Sequence, residues 1–261
     1  MKRIFFFLLI TIYVGTAFAQ SYSDAFDEAF SRDDITAQRE ALELWQREAP
    51  EDVNLFIARY NYYANRAIGQ NSDVIIAPMA DSGLVAIEEG ITLFPNRLDL
   101  RFGKIYFLGQ LARWDAFVSE IARTLDYSVQ INNRWEFPNV PDDMMEDLLT
   151  EAMNDYLVTM WMSVADTARL TSADTLVIKK VQELAKRIVQ LFPGDFPSTY
   201  MLALSYQVLN ENDKAYKYLM RAEKISSTSK SLLQLLVKVC RELGKVAQAE
   251  EYQRRLNESD K

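Results

Sequence analysis

Four carboxylates recur at every fourth residue, Asp143, Asp147, Glu151 and Asp155, with Asp142 and Glu146 beside them. On a helix that spacing aligns them in one stripe. Such a stripe would hold a cation, supply the acid/base pair that suffices for glycoside hydrolysis, or dock a basic partner. It also reads as the solvated face of a helix whose other side carries Met145, Leu148, Ala152 and Tyr156, its first acids favoured by the helix dipole. The alternating acids and glycine of a calcium loop are absent. Like charges four residues apart repel, so something basic is expected opposite. Arg97, Arg101 and Lys104, spaced four and three apart, are the candidates.

Most other catalytic constellations are excluded by composition. The 261 residues include no His, which removes Ser-His-Asp and Cys-His nucleophiles and His-ligated zinc. A single Cys removes intramolecular disulfides and Cys-rich metal sites. No phosphate-cradling loop or dinucleotide fingerprint occurs among the eight glycines. No cofactor is expected. With 29 basic against 37 acidic residues the net charge is −8, a surface that phosphate backbones repel, so no nucleic-acid partner is expected.

The elements that must position these groups are helical. Residues 196–229 slide onto 230–261 at an offset of 34 with the apolar frame preserved. Leu202 falls on Leu236, Ala203 on Val237, Tyr206 on Cys240, Leu209 on Leu243, Ala215 on Ala249 and Tyr218 on Tyr252. Within each copy the apolar residues recur at helical intervals, a turn follows, and a second helix passes close to the first at Ala215 or Ala249. Cys240 lies on the apolar stripe and reads as a small core residue. A period of this length is one helix–turn–helix unit of a repeat array. An ordinary helical hairpin bundle is the alternative.

These two copies resemble tetratricopeptide repeats. Leu202, Ala203, Tyr206, Ala215, Leu219 and Ala222 match the family pattern in the first, and Leu236, Leu243, Gly244 and Ala249 in the second. The early Trp of the pattern is replaced by Thr199 and Leu233, its small residue after Leu becomes Val237 in the second copy, and its last Ala becomes Leu256. The resemblance implies an all-α, right-handed α-solenoid of antiparallel helix pairs. Residues 94–106, 121–128 and 132–135 resemble, more narrowly, a group of exported bacterial tetratricopeptide proteins, which implies a fold and a compartment and no activity.

Prolines extend the frame. Ala49-Pro50, Phe94-Pro95 and Phe192-Pro193 each stand just past an apolar helix end, where proline stops one helix and sets up the next. The two Leu-Phe-Pro copies are 98 residues apart, more than two repeats occupy, so an insertion is expected at 126–142. Residues 69–80 form a second irregular stretch. The expected organisation is a leader over 1–19, degenerate helix pairs over 20–125, the inserted loop, and a C-terminal repeat region over 143–261. Trp135 and Phe137 either pin the insertion or form a ligand platform. Tyr60, Tyr62 and Tyr63, with Phe56, read as packing before they read as a sugar platform.

Lys2 and Arg3, an apolar run over 4–14 and the small-x-small triplet Ala17, Phe18, Ala19 read as a secretory signal peptide. The apolar run is about half of the ~20 residues a spanning helix needs. Export is therefore expected, to a periplasm or beyond, with no transmembrane segment in the mature chain.

If the chain binds peptides as the resembled family does, exposed positions of each unit's first helix line the groove. In this register they are Pro197, Tyr200, Met201, Leu204, Gln207 and Val208, then Ser231, Gln234, Leu235, Lys238 and Arg241, of which Tyr200, Met201, Leu204, Gln207, Gln234, Lys238 and Arg241 are the main candidates. The basic clamp that some family members use on C-terminal carboxylates is replaced by Tyr200, Met201 and Leu204, so a partly apolar ligand fits better. The expected function is a non-catalytic scaffold for another exported or envelope protein. The alternatives are a carbohydrate-binding helical protein using surface aromatics and the acidic stripe, or a self-associating structural protein.

Overall fold

A computed structural model describes residues 17–68, 75–164, 167 and 169–259. Among these, twelve α-helices form and no strand. They are α1 (Ala17–Ser31), α2 (Ile35–Glu48), α3 (Val53–Ile68), α4 (Ala77–Leu93), α5 (Leu98–Gln110), α6 (Trp114–Gln130), α7 (Met145–Met162), α8 (Ser172–Leu191), α9 (Phe196–Val208), α10 (Asn212–Ile225), α11 (Lys230–Glu242) and α12 (Val246–Glu258). A 3-10 turn, Asp142–Met144, precedes α7. The chain divides into two compact units, Met1–Leu111 with Ser128–Met145, and Ala112–Tyr127 with Glu146–Lys261.

In the second unit the 34-residue offset is literal. Helices α9 and α11 are both 13 residues long and begin at Phe196 and Lys230, while α10 and α12 begin at Asn212 and Val246. The turns repeat atom for atom. Asn210 and Gly244 take left-handed φ values of 60° and 69°. The next residue's N–H then reaches back, Glu211 to the Tyr206 carbonyl at 2.9 Å and Lys245 to the Cys240 carbonyl at 2.8 Å. This left-handed cap satisfies carbonyls that the helix end would otherwise orphan. Asp33 after α1 and Ala112 after α5 have the same conformation, with φ 54° and 52°.

The proline boundaries follow the same logic. Helices α2, α4 and α8 are capped by Ala49, Phe94 and Phe192, each directly before a proline, with φ between −144° and −120° and ψ between 65° and 75°. The ring of the following proline disfavours the helical region there. Their N–H groups close the last turns onto Trp45, Gly90 and Ile188. Ser226 holds that place after α10, 34 residues beyond Phe192.

The core of the C-terminal pairs is one cluster that includes Ala203, Ala215, Leu219, Ala222, Leu236, Val237, Cys240 and Ala249. Ala215 and Cys240 are fully buried. Helix α9 touches α8, α10 and α11, and α10 touches α11, so successive pairs stack. In the first unit α1, α2 and α3 touch one another around Phe26, Leu42, Trp45, Leu55 and Ala58. Helix α3 lies along α4 at Gly90, where a Cβ would stand 2.9 Å from the Phe56 Cβ. Only glycine permits that approach.

Three expectations shift. Helix α6 runs on to Gln130, past the expected break at 126, because Ser128 faces inward and is 2% exposed. Helix α4 starts at Ala77, inside the stretch expected to be irregular over 69–80. Its Pro78 lies in the first turn, where no N–H is needed. Residues 69–74 of that stretch, and 1–16 of the expected leader, lie outside the described residues. On α7 the buried row is Met145, Leu149, Met153, Leu157 and Met160. Leu148, Ala152 and Tyr156 are half-buried beside it.

Candidate functional site

The expected groove residues sit on α9 and α11 of the second unit. Helix α9 is held by its N-cap, Asp195, whose carboxylate accepts the Ser198 N–H at 2.8 Å. Ser229 does the same for Leu232 on α11 at 3.4 Å. The helices touch, and the Tyr200 hydroxyl reaches the Ser231 carbonyl at 3.5 Å. Phe196 stacks on Tyr200 at 6.0 Å and 17°. Burial raises the Tyr200 pKa above the ordinary phenol range, so this hydroxyl stays a donor.

Tyr200, Met201 and Leu204 are half-buried, whereas Gln234, Lys238 and Arg241 are exposed. Arg241 donates to Gln253 Oε1 at 3.3 Å. Gln207 and Leu235 leave the surface set, being 5% and 7% exposed. Gln207 is buried because α9 is covered by three neighbouring helices, which turns polar positions inward, Ser198, Thr199 and Ser205 among them, while Leu235 is buried on α11, which packs against α9, α10 and α12. What remains is an apolar and aromatic shelf on α9 bordered by an amide and cations on α11.

The acidic stripe stays on the surface. Asp143, Asp147, Glu151 and Asp155 are all exposed, and no ion pair is formed by any of them among the described residues. The cations expected opposite are engaged elsewhere. Arg97 forms a bidentate pair with Asp99, at 2.9 and 2.7 Å. Lys104 pairs with Glu88. Arg101 donates to the Pro95 carbonyl and lies 5.4 Å from the Trp135 ring centre. Among the described residues no group of three or more Asp, Glu, His or Cys is arranged to hold a metal ion.

The aromatic candidates are packing. Trp135 is 3% exposed and donates its indole N–H to Ser128 Oγ at 2.8 Å. Glu136 ties the same loop to α5 by accepting the Leu98 N–H at 3.0 Å and donating to Asn96 at 2.9 Å. Phe137 lies against Phe102 at 6.1 Å. Tyr60 meets Phe107 edge-on at 5.5 Å and donates to the Gly103 carbonyl at 3.1 Å. Tyr62 is covered by the Arg66 guanidinium at 3.6 Å. A ligand platform built on these side chains loses Trp135 and Phe56, which are in the core.

One feature escaped the sequence. In the first unit Gln46, Phe56, Arg59, Val85, Glu88, Glu89 and Leu93 line a cleft of about 550 Å³. Its charged groups are consumed internally, Arg59 by Glu89 at 2.7 Å and Glu88 by Lys104. The available signal was a second apolar row on α4: Val85 and Leu93 are 56% and 53% exposed, away from the Ala86–Gly90 side.

No protein-family model matches the chain, and no curated protein sequence does. Solved structures similar to it include PilW, a widely conserved type IV pilus biogenesis factor, at 14% identity and a TM-score of 0.43, covering 93% of each chain. MamA from Desulfovibrio magneticus RS-1 is similar at 13% identity and a TM-score of 0.43, covering 77% of this chain and 93% of that one. TTC0263, a thermophilic TPR protein of Thermus thermophilus, is similar at 16% identity and a TM-score of 0.36, covering 70% and 84%. Likeness at this level transfers neither partner nor activity. Among the described residues no helix is long and apolar enough to cross a membrane.

Proposed function

We infer that the chain is an exported, non-catalytic scaffold that holds another exported or envelope protein on the α9–α11 face. The observation that carries this is the shelf itself. Tyr200, Met201 and Leu204 remain only half-buried after α8, α10 and α11 have packed, and they border Gln234, Lys238 and Arg241, which are exposed. A half-buried apolar strip with a polar rim is the usual form of a protein-binding patch. The export reading is supported by the basic start, apolar run and small-x-small triplet within residues 1–19. The absence of His and the single buried Cys support a role without catalysis.

The test is capture from an envelope extract with the wild-type protein beside a Leu204→Asp variant and an outer-face control, Glu250→Gln on α12. A protein retained by the wild type and the control, and lost with Leu204→Asp, supports the reading. Retention by all three places binding elsewhere on the molecule. Glycan retention, in a parallel array, would favour a carbohydrate-binding role.

A further inference from the structure

We propose that the α9–α11 face takes a second copy of this same chain, seated through the acidic face of its α7. This rests on the reading of α9–α11 as the docking face and names its occupant. The first ground is a charge asymmetry along the sequence. Residues 1–195 carry 18 basic and 29 acidic groups, a net −11, while residues 196–261 carry 11 and 8, a net +3. A chain that is acidic at one end and basic at the other is complementary to itself when copies meet head to tail.

The second ground is the match between two particular helix faces. On α11, Lys230, Gln234, Lys238 and Arg241 follow one another at intervals of four, four and three and are all exposed. On α7, Asp147, Glu151 and Asp155 follow at intervals of four, with Asp143 one turn earlier, and are all exposed. The interval Lys230–Lys238 equals the interval Asp147–Asp155, eight residues, or about 12 Å along a helix. Each face also has an apolar part. The acidic row continues along α7 into Val158 and Met162, which are 48% and 76% exposed, and the basic row borders Tyr200 and Leu204. The acids repel one another at their spacing, and two of the cations that the sequence offered as partners, Arg97 and Lys104, are bound to Asp99 and Glu88 instead. A cationic row from another copy relieves that repulsion. The two faces are different surfaces, so the contact is heterologous, and each added copy leaves one of each face open.

Ionic strength gives the contact a signature. The whole chain is net negative, so copies repel at long range in very low salt, where the Debye length is about 30 Å at 0.01 M. At about 0.1 M that length is about 10 Å, which screens the overall repulsion and leaves contacts between facing side chains. Near 1 M the facing pairs are screened as well.

The experiment is sedimentation velocity of the purified wild-type chain over a concentration series at these three salt levels, with two charge-reversed variants and their mixture. Expected is concentration-dependent association that is strongest at about 0.1 M. Lys238→Glu with Arg241→Glu, and separately Glu151→Lys with Asp155→Lys, should each weaken it roughly tenfold or more. Mixing the two variants should restore it, because their reversed faces now complement each other. Both variants are surface changes, and circular dichroism melts serve as the check that they fold. A wild type that stays monomeric at all three salt levels overturns the proposal. So does association that neither variant weakens, or a mixture that stays monomeric. If a monomeric wild type still retains an envelope protein that Leu204→Asp loses, the self-docking falls while the scaffold reading stands.

Discussion

Replacing Gly90 by Ala tests how tightly α3 and α4 are pressed together. The added methyl would stand 2.9 Å from Phe56 Cβ and 3.3 Å from Phe56 Cγ, with Leu100 Cδ1 at 3.4 Å. Phe56 Cβ is one bond from the α3 backbone, so no rotamer change relieves the clash and the helices must separate. Overpacking of that kind costs about 1–3 kcal/mol. Ala in place of Gly inside a helix returns about 1 kcal/mol. Because the obstacle is rigid, the upper half of the overpacking range applies, leaving a net loss of about 1–2 kcal/mol. For a chain of this size that is a fall in Tm of roughly 2–8 °C. Two controls isolate the mechanism. At Gly103 the nearest atom is Ile87 Cδ1, also at 2.9 Å, but it ends a flexible side chain and can turn away, so Gly103→Ala should stay within about 1 kcal/mol of wild type. At Gly194 nothing lies within 4 Å, so Ala there should be neutral or gain up to about 1 kcal/mol through the unfolded state. Thermal and urea unfolding followed by circular dichroism give the ranking. Gly90→Ala melting at or above wild type, or Gly194→Ala falling below it, refutes the reasoning.

Further outcomes follow from the repeats. Ala215→Leu, at a fully buried position between α9 and its neighbours, should destabilise by about 1–3 kcal/mol, read as a shift in the urea midpoint. Asn210 and Gly244 share one left-handed turn position, so Asn210→Gly should hold or raise stability, whereas Gly244→Ala should lose about 1 kcal/mol. Burial pushes the Cys240 thiol above its ordinary range, with nearby Lys245 opposing and Glu223 adding. The folded state therefore favours the protonated thiol, a contribution present below the unfolded thiol's pKa and lost as pH rises through the folded value. Alkylation of native Cys240 at mildly alkaline pH should run at least about tenfold slower than that of a free thiol and recover in denaturant. Equal rates would place the sulfur in solvent.

Much of the fold was legible because helix ends carry local chemistry. Pro50, Pro95 and Pro193 fix the preceding residue outside the helical region, and the structure ends α2, α4 and α8 there. The offset of 34 was legible because Ala203, Ala215 and their partners Val237 and Ala249 all lie in one core cluster. Two element bounds were not legible. The 98-residue spacing of the Leu-Phe-Pro copies placed an insertion from 126, whereas α6 carries on through the buried Ser128 to Gln130, and Pro78, in the first turn of α4, made a helix start look like a loop. Inward-facing polar residues blurred the candidate site. Three helices cover α9, so its exposed face is set by neighbours and not by its own pattern, which is why Gln207 read as surface and is buried. The exposure of Lys238 and Arg241 was legible because α11 is sharply amphipathic, with Leu232, Leu233, Leu236 and Cys240 opposite them.

Site-specific photocrosslinking in the native host tests the central claim most directly, with the reactive side chain placed at Leu204 or Lys238 and, as control, at Glu250. One discrete adduct is expected from the two α9–α11 positions and none from the control, its mass telling a second copy from another protein. No adduct at either α9–α11 position, or the same adducts at all three, would contradict it.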